Sequence, residues 1–299
     1  MKKPHLACDV DYTRLCLPIC VMPKYDGVRG LHIFGKLHGR SLKAHPNHTM
    51  TTYFSKHGMD GMDGELCYGD PTTTNQNLCN NTGSVTRTVH CLNIPDWHLF
   101  DYITPQTAHL GFIRRHEMLC DLVRLSANPK MFVIPYTICH TLEAVLDLRD
   151  DYLNAGYEGI ILRSLDGKHK NGRATVVEGQ FMRDKPVEDA EGELLSIVEA
   201  QENLNEAYTN ELGRTARSSH KENLLGKGMV GALVLRDCET GKEIKIGPGT
   251  LSHNLRIQMW ENPQDYLGKI VKYKRLAVGA KDAPRQGRFW AWRSAEDMS

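Results

Sequence analysis

The chain has 299 residues, 40% of them hydrophobic and 24% charged, which suits one large or two medium globular domains with sizeable cores. Its 37 basic and 36 acidic residues leave a net charge of +1, so bulk charge does not call for a polyanionic partner and any nucleic-acid footprint must come from local clustering. No apolar run approaches a membrane span and the N-terminus has no leader-like apolar stretch, so the expectation is a soluble, cytoplasmic chain. Nine cysteines, an odd number without a C-x-x-C pair, predict reduced thiols with neither a disulfide framework nor a structural zinc.

In chain order, short apolar runs punctuated by Gly, Pro or Asn predict strands at 28–37, 64–68, 97–103 and 159–163. A helix is expected over 112–125. A second begins after Thr141 as N-cap, carries Leu142, Val145, Leu146, Tyr152 and Leu153 on one stripe, and stops at Gly156. After Pro186 five strands follow, at 193–198, 230–236, 243–246, 269–276 and 289–293, with a turn at Glu239-Thr240-Gly241 and a short helix over 252–260. Five strands in so short a stretch fit a partly open barrel of the oligonucleotide-binding (OB) type. The fold class read from this order is α+β, with a mixed domain at 1–187 and an OB-fold β-barrel at 188–299. An insertion is placed at about 203–228, and its polar, basic stretch 211–228 is predicted to be a mobile loop. In it Arg214, Arg217, Lys221 and Lys227 either clamp phosphates or merely face solvent.

Among the candidate functional residues, Lys24-Tyr25-Asp26-Gly27-Val28-Arg29 is the most specific. A lysine before an Asp-Gly turn and a nearby arginine suits an amine that attacks phosphorus, the arginine binding polyphosphate and neighbouring cations depressing the amine pKa. The plainer alternative is a surface turn with a solvated ion pair. Such chemistry needs carboxylates and further cations, and the chain supplies both in order. Glu65, in Asp63-Gly64-Glu65-Leu66, and Glu158, in Tyr157-Glu158-Gly159, each stand at an apolar strand, either solvated there or placed for ribose and metal. Phe100 is either core or a platform for a purine base. Arg183 and Lys185 alternate in Phe181-Met182-Arg183-Asp184-Lys185-Pro186, which puts both on one face of a strand.

Taken together, KYDGVR (24–29), Arg40-Ser41, DGEL (63–66), FDYI (100–103), EGIILR (158–163) and FMRDKPVEDAEGELL (181–195) resemble the nucleotidyltransferase motifs of ATP-dependent DNA ligases of the minimal phage and eukaryotic-virus type. The resemblance spans nearly the whole chain, and the last block is closer to DNA ligases than to capping enzymes. It implies an ATP-grasp-like adenylation domain with antiparallel sheets followed by the OB domain. It further implies ATP as substrate, Mg2+ or Mn2+ as cofactor, and AMP carried covalently on Lys24. By matching position, Arg29 and Arg40 would contact the nucleotide or the nick 5′-phosphate, Glu65 the ribose, and Phe100 the adenine. Glu158, with Glu65, would hold the metal. Arg183 and Lys185 would hold the α-phosphate, and Arg293 would orient pyrophosphate. The basic insertion resembles the hairpin latch that embraces DNA from the barrel. The implied partner of this monomer is nicked duplex DNA, in phage replication and repair within the host cytoplasm.

Three departures stand out. Arg183 replaces the usual lysine, Gly39 stands where serine is common, and the C-terminal run ending in Arg293 matches only loosely. The same lysine chemistry would serve an RNA ligase or a GTP-dependent capping enzyme, and an inactive transferase with a working barrel would leave a binding module.

Overall fold

The computed structural model describes residues 4–55, 58–72, 78–209, 215–218, 220–276 and 285–293. The chain divides into two compact units, Met1–Lys185 and Pro186–Ser299.

The first unit runs β1 (His5–Leu6), β2 (Cys8–Asp9), β3 (Ile19–Lys24), β4 (Val28–Ile33), β5 (Lys36–His38), α1 (His48–Tyr53), β6 (Met62–Cys67), α2 (Leu78–Arg87) and β7 (Asp96–Tyr102). It continues with α3 (Phe112–Ser126), β8 (Met131–Val133), β9 (Thr137–Cys139), α4 (Leu142–Asn154), β10 (Gly159–Ser164), β11 (Gly172–Arg173) and β12 (Phe181–Asp184). Two five-stranded sheets form, in the orders β2-β12-β10-β3-β9 and β5-β4-β6-β7-β8. Most pairs are antiparallel, with parallel pairing at β12/β2 and β7/β8. The strand expected at 28–37 is a hairpin: Phe34 and Gly35, at φ 49° and 74°, make the two-residue turn between β4 and β5. Thr141 caps α4 by accepting from the Ala144 amide, and of the expected stripe only Val145 is fully buried. The helices α1 and α2 lie outside the sequence expectation because His, Thr, Asn and Gly dominate them.

The second unit comprises β13 (Val187–Asn203), β14 (Ala207–Thr209), β15 (Thr215–Arg217), β16 (Leu224–Asp237), β17 (Glu243–Ile246), α5 (His253–Glu261), β18 (Ile270–Leu276) and β19 (Arg285–Trp292). Its sheet order is β17-β16-β13-β18-β19, and the two edges meet where Gly247 bonds Gly287 O and the Phe289 amide (2.8 and 3.0 Å). Leu194, Val230, Leu233, Leu235, Val271, Tyr273 and Phe289 fill the interior and Ser252 caps α5. Two expectations are corrected here. The strand placed at 193–198 begins at Val187, because its acidic outer face hides the alternation. The described part of the insertion is paired strand rather than the loop its composition suggested, as the resemblance to a hairpin latch implied: β13 and β16 extend their pairing as far as Asn203 and Leu224, and β14 pairs with β15.

Candidate active site

The site begins with a strand register. β3 and β10 pair so that Lys24, the last residue of its strand, faces Gly159, the first of its own, and the Glu158 amide donates to Lys24 O at 2.9 Å. The Glu158 carboxylate therefore lies beside the lysine, which ion-pairs with it, while Lys185 Nζ lies 3.5 Å from its other oxygen. Burial opposes the ionised form of Glu158, but Lys24 and Lys185 outweigh it and hold the carboxyl below its usual range. Gly159, at φ 146°, approaches Asp184 so closely that a Cβ would sit 2.1 Å from its carbonyl oxygen. Gly27 is constrained in the same way, a Cβ there lying 2.2 Å from Leu66 O, so the glycine after Asp26 permits the lysine-bearing turn to rest on β6.

β4 and β6 pair Arg29 with Glu65. Asp63, two residues before Glu65 and so on the same face of β6, takes the Arg29 guanidinium through Nε and Nη2 at 2.6 and 2.5 Å. Arg29 also lies over the Phe100 ring, 4.8 Å from its centroid. Burial pushes the Glu65 carboxyl up to about 7 against the pull of Lys24 and Arg29.

Lys24, Arg29, Arg40, Glu65, Phe100 and Arg183 line one cavity of about 340 Å3, within the size range of small-molecule sites. Arg163 and Arg173 line it too, so six cationic side chains face a single lining carboxylate. Arg40 has no hydrogen-bond or ion-pair partner among the described residues, and burial together with repulsion from Arg173, Arg183 and Arg29 lowers its pKa. Met22, Ile134, Ile161 and Phe181 supply an apolar wall.

Arg183 and Lys185 do not converge on a common partner. β2 runs beside β12 and sets Asp9 opposite Arg183, whose Nε it takes at 2.7 Å, whereas Lys185 lies past the end of β12 and turns to Glu158. Asp9 is 80% exposed, so that pair is weak and exchangeable.

Arg163 and Arg173 escaped the sequence reading, as did the groups that position the lining arginines. Arg163 lies between the faces of Phe112 and Phe181, 4.4 and 4.3 Å from their centroids, and ion-pairs with buried Asp101. Asp101 also takes Arg115 of α3 at 2.7 and 3.0 Å. Burial disfavours its charge, yet the two guanidinium groups hold it ionised well below the ordinary range. Asp63, Asp101 and Arg163 sat inside motifs already singled out, and alternation along β6 was the available signal for Asp63. Arg173 carried none.

The other expected residues belong to the second unit. Arg293 ion-pairs with Glu191. Arg217 donates to Asn205 O, Lys227 pairs with Glu202 at 3.2 Å, and Lys221 is exposed. Arg214 lies outside the described residues. Among the described residues no group of three or more His, Cys, Asp or Glu is placed to hold a metal, and no helix is long and apolar enough to cross a membrane.

Residues 226–293 match the family model of the DNA ligase OB-like domain. No curated protein matches the chain significantly. Among solved structures, a Lig E DNA ligase is 20% identical with a TM-score of 0.73, covering 98% of this chain and 100% of that one. The Chlorella virus DNA ligase-adenylate is 22% identical at a TM-score of 0.55, covering 98% and 100%. The ATP-dependent DNA ligase of bacteriophage T7, solved with ATP, is 14% identical at 0.50, covering 98% and 99%. The resemblance drawn from the motifs is thus borne out in fold: residues 226–293 match the DNA ligase OB-like domain, and the chain shares the fold of these solved DNA ligases.

Proposed function

We propose that the protein is an ATP-dependent DNA ligase that seals 3′-hydroxyl/5′-phosphate nicks in duplex DNA through AMP carried on Lys24. The observation that carries this reading is the convergence of Lys24, five arginines and the Phe100 ring on one cavity of nucleotide size. The solved relatives are named as DNA ligases, one as an adenylate and one as a complex with ATP, and the OB-like match favours DNA over RNA or a cap.

In the first step Lys24, once its ammonium has given a proton to solvent, attacks the α-phosphorus of ATP. The N–P bond forms as the nitrogen gives one N–H proton to water, the bond to the bridging α,β-oxygen breaks, and pyrophosphate leaves. An oxygen of the nick 5′-phosphate then attacks the adenylate phosphorus, returning the bonding pair and a free amine to Lys24. Last, the 3′-hydroxyl gives its proton to water and attacks the activated 5′-phosphorus, the bond from that phosphorus to the bridging oxygen breaks, and AMP departs. Arg40, Arg173 and Arg183 hold the phosphates, the apolar wall and Phe100 hold the adenine, and Glu65 meets the ribose hydroxyls. Glu158 and Glu65 fit a hard divalent ion, Mg2+ or Mn2+, since such ions take one or two carboxylates and fill the rest of their shell from phosphates and water. When bound, that ion would neutralise charge on the polyphosphate. In the second unit Arg217, Lys221 and Lys227, with Arg214, bind the duplex backbone, and Arg293 orients pyrophosphate. The enzyme acts as a monomer in the cytoplasm.

The test is incubation with α-labelled ATP or GTP and magnesium, followed by a chase with nicked DNA. Label from ATP that passes into DNA and yields sealed product is expected. Label from GTP would make it a capping-type enzyme, and no label from either would leave a binding module. Lys24→Ala should abolish labelling yet still seal a preadenylated nick.

A further inference from the structure

Lys24 occupies the end of a paired strand. The β3/β10 ladder ends at the Lys24–Gly159 pair, and past it the backbone connection is the single bond from the Glu158 amide to Lys24 O. Each chain places a tyrosine at that end, Tyr25 directly after the lysine and Tyr157 directly before the glutamate. Their rings stack at 5.2 Å between centroids with 25° between planes. Tyr157 is anchored from behind, its amide donating to Tyr152 O at 3.0 Å and its ring meeting Tyr152 edge-on at 5.5 Å. Tyr25 is anchored on the far side by His98, edge-on at 4.8 Å, and His98 in turn stacks on Phe132 at 5.4 Å. An aromatic chain from α4 to β8 therefore crosses the open end of the ladder at the lysine. Tyr157 is absent from the cavity lining, whereas Tyr25 reaches it.

We infer that Tyr157 is a positioning residue for the reaction of Lys24: through its stack on Tyr25 it fixes the backbone of Lys24 against Glu158, so that the amine is held in line with the phosphorus it attacks. The inference rests on the ligase reading. A misplacement of about 1 Å at a reacting atom costs on the order of 100-fold in rate, so loss of this brace is visible in kinetics while leaving the nucleotide-binding walls intact.

The experiment measures Lys24 adenylylation from ATP in single turnover, and separately the sealing of a preadenylated nick, for wild type, Tyr157→Phe, Tyr157→Leu, Tyr25→Leu and the double variant Tyr25→Leu/Tyr157→Leu. Leucine keeps bulk while removing the ring face. Tyr157→Leu should lower the adenylylation rate about 10- to 100-fold with the KM for ATP within about twofold, Tyr157→Phe should restore the rate, and the double variant should be no slower than the slower single. For the Tyr157 single variants, sealing of the preadenylated nick, which does not need the amine, should stay within about threefold of wild type. Wild-type adenylylation by Tyr157→Leu overturns the inference alone. So does a parallel loss of preadenylated-nick sealing, which would assign the ring to Glu158 or to the fold. Absence of any lysine adduct in wild type overturns the ligase reading and this inference together.

Discussion

In the first unit Asp63, Asp101, Arg115 and Arg163 are buried and paired with one another or with Arg29, and two of these arginines form part of the cavity wall. In the second unit Arg236–Glu193, Lys272–Asp189 and Lys227–Glu202 pair across exposed strand faces over an apolar core. Buried pairs cannot exchange for water and so fix geometry, whereas exposed pairs exchange readily and leave the surface available to a polyanion. Asp237 is the exception in the second unit, buried under Tyr273, Thr240 and Arg275 at the turn between β16 and β17.

The largest effect should come from breaking the buried network. Asp101→Asn leaves Arg115 and Arg163 without a counter-charge and should cost about 3–5 kcal/mol. The amides of β7 and α3 would then exchange hydrogen at least about 100-fold faster, and an unchanged exchange rate would refute the role given to this triad. The same carboxylate supplies stability above its ordinary pKa of 3.8 that disappears as acid titrates it at still lower pH, because its folded pKa is depressed. Next in size is Gly159→Ala. Its φ of 146° and the 2.1 Å approach of its Cβ to Asp184 O predict a loss of about 1–3 kcal/mol, along with slower Lys24 adenylylation as the strand shifts.

The fate of the motifs shows what was legible beforehand. Lys24, Glu65, Glu158 and Phe100 could be found because each sits in a short block whose glycine is required by a close backbone approach or whose alternation survives in a strand. Strands and helices with clean periodicity, such as β10 and α3, fell close to their expected bounds. Arg115 lies 14 residues from Asp101 and Arg163 lies 62 away, so their meeting depends on tertiary packing that no local pattern encodes. Arg173 reaches the cavity from a two-residue strand paired with β1, too short to leave a periodic trace. The opening half of β13 was hidden for a related reason, since Glu188, Asp189 and Glu191 give it no apolar alternation and their partners on β18 are distant in sequence.

A smaller effect separates Glu65 from the paired acids around it. Its folded pKa of about 7 exceeds its ordinary value of 4.5, so the folded protein retains a proton that the unfolded chain releases. Stability contributed by that proton is fully present below about pH 4.5 and is lost as pH rises through about 7, the reverse of Asp101. The melting temperature of the wild type should therefore fall more steeply over that window than that of Glu65→Gln. Equal slopes would mean that Glu65 ionises as an exposed acid does.

The smallest effect tests the other side of the comparison. Arg236 and Glu193 face each other across β16 and β13, with their side chains 53% and 41% exposed and 3.4 Å apart. A double-mutant cycle replacing each with alanine should return a coupling of no more than about 0.5 kcal/mol, shrinking further in about 1 M salt as screening shortens the reach of the charges. A coupling as large as that around Asp101 would show that the second unit also relies on fixed ion pairs. Its surface charges would then be committed to the fold rather than available to a phosphate backbone, and its part in holding DNA would have to come from the cations of the insertion.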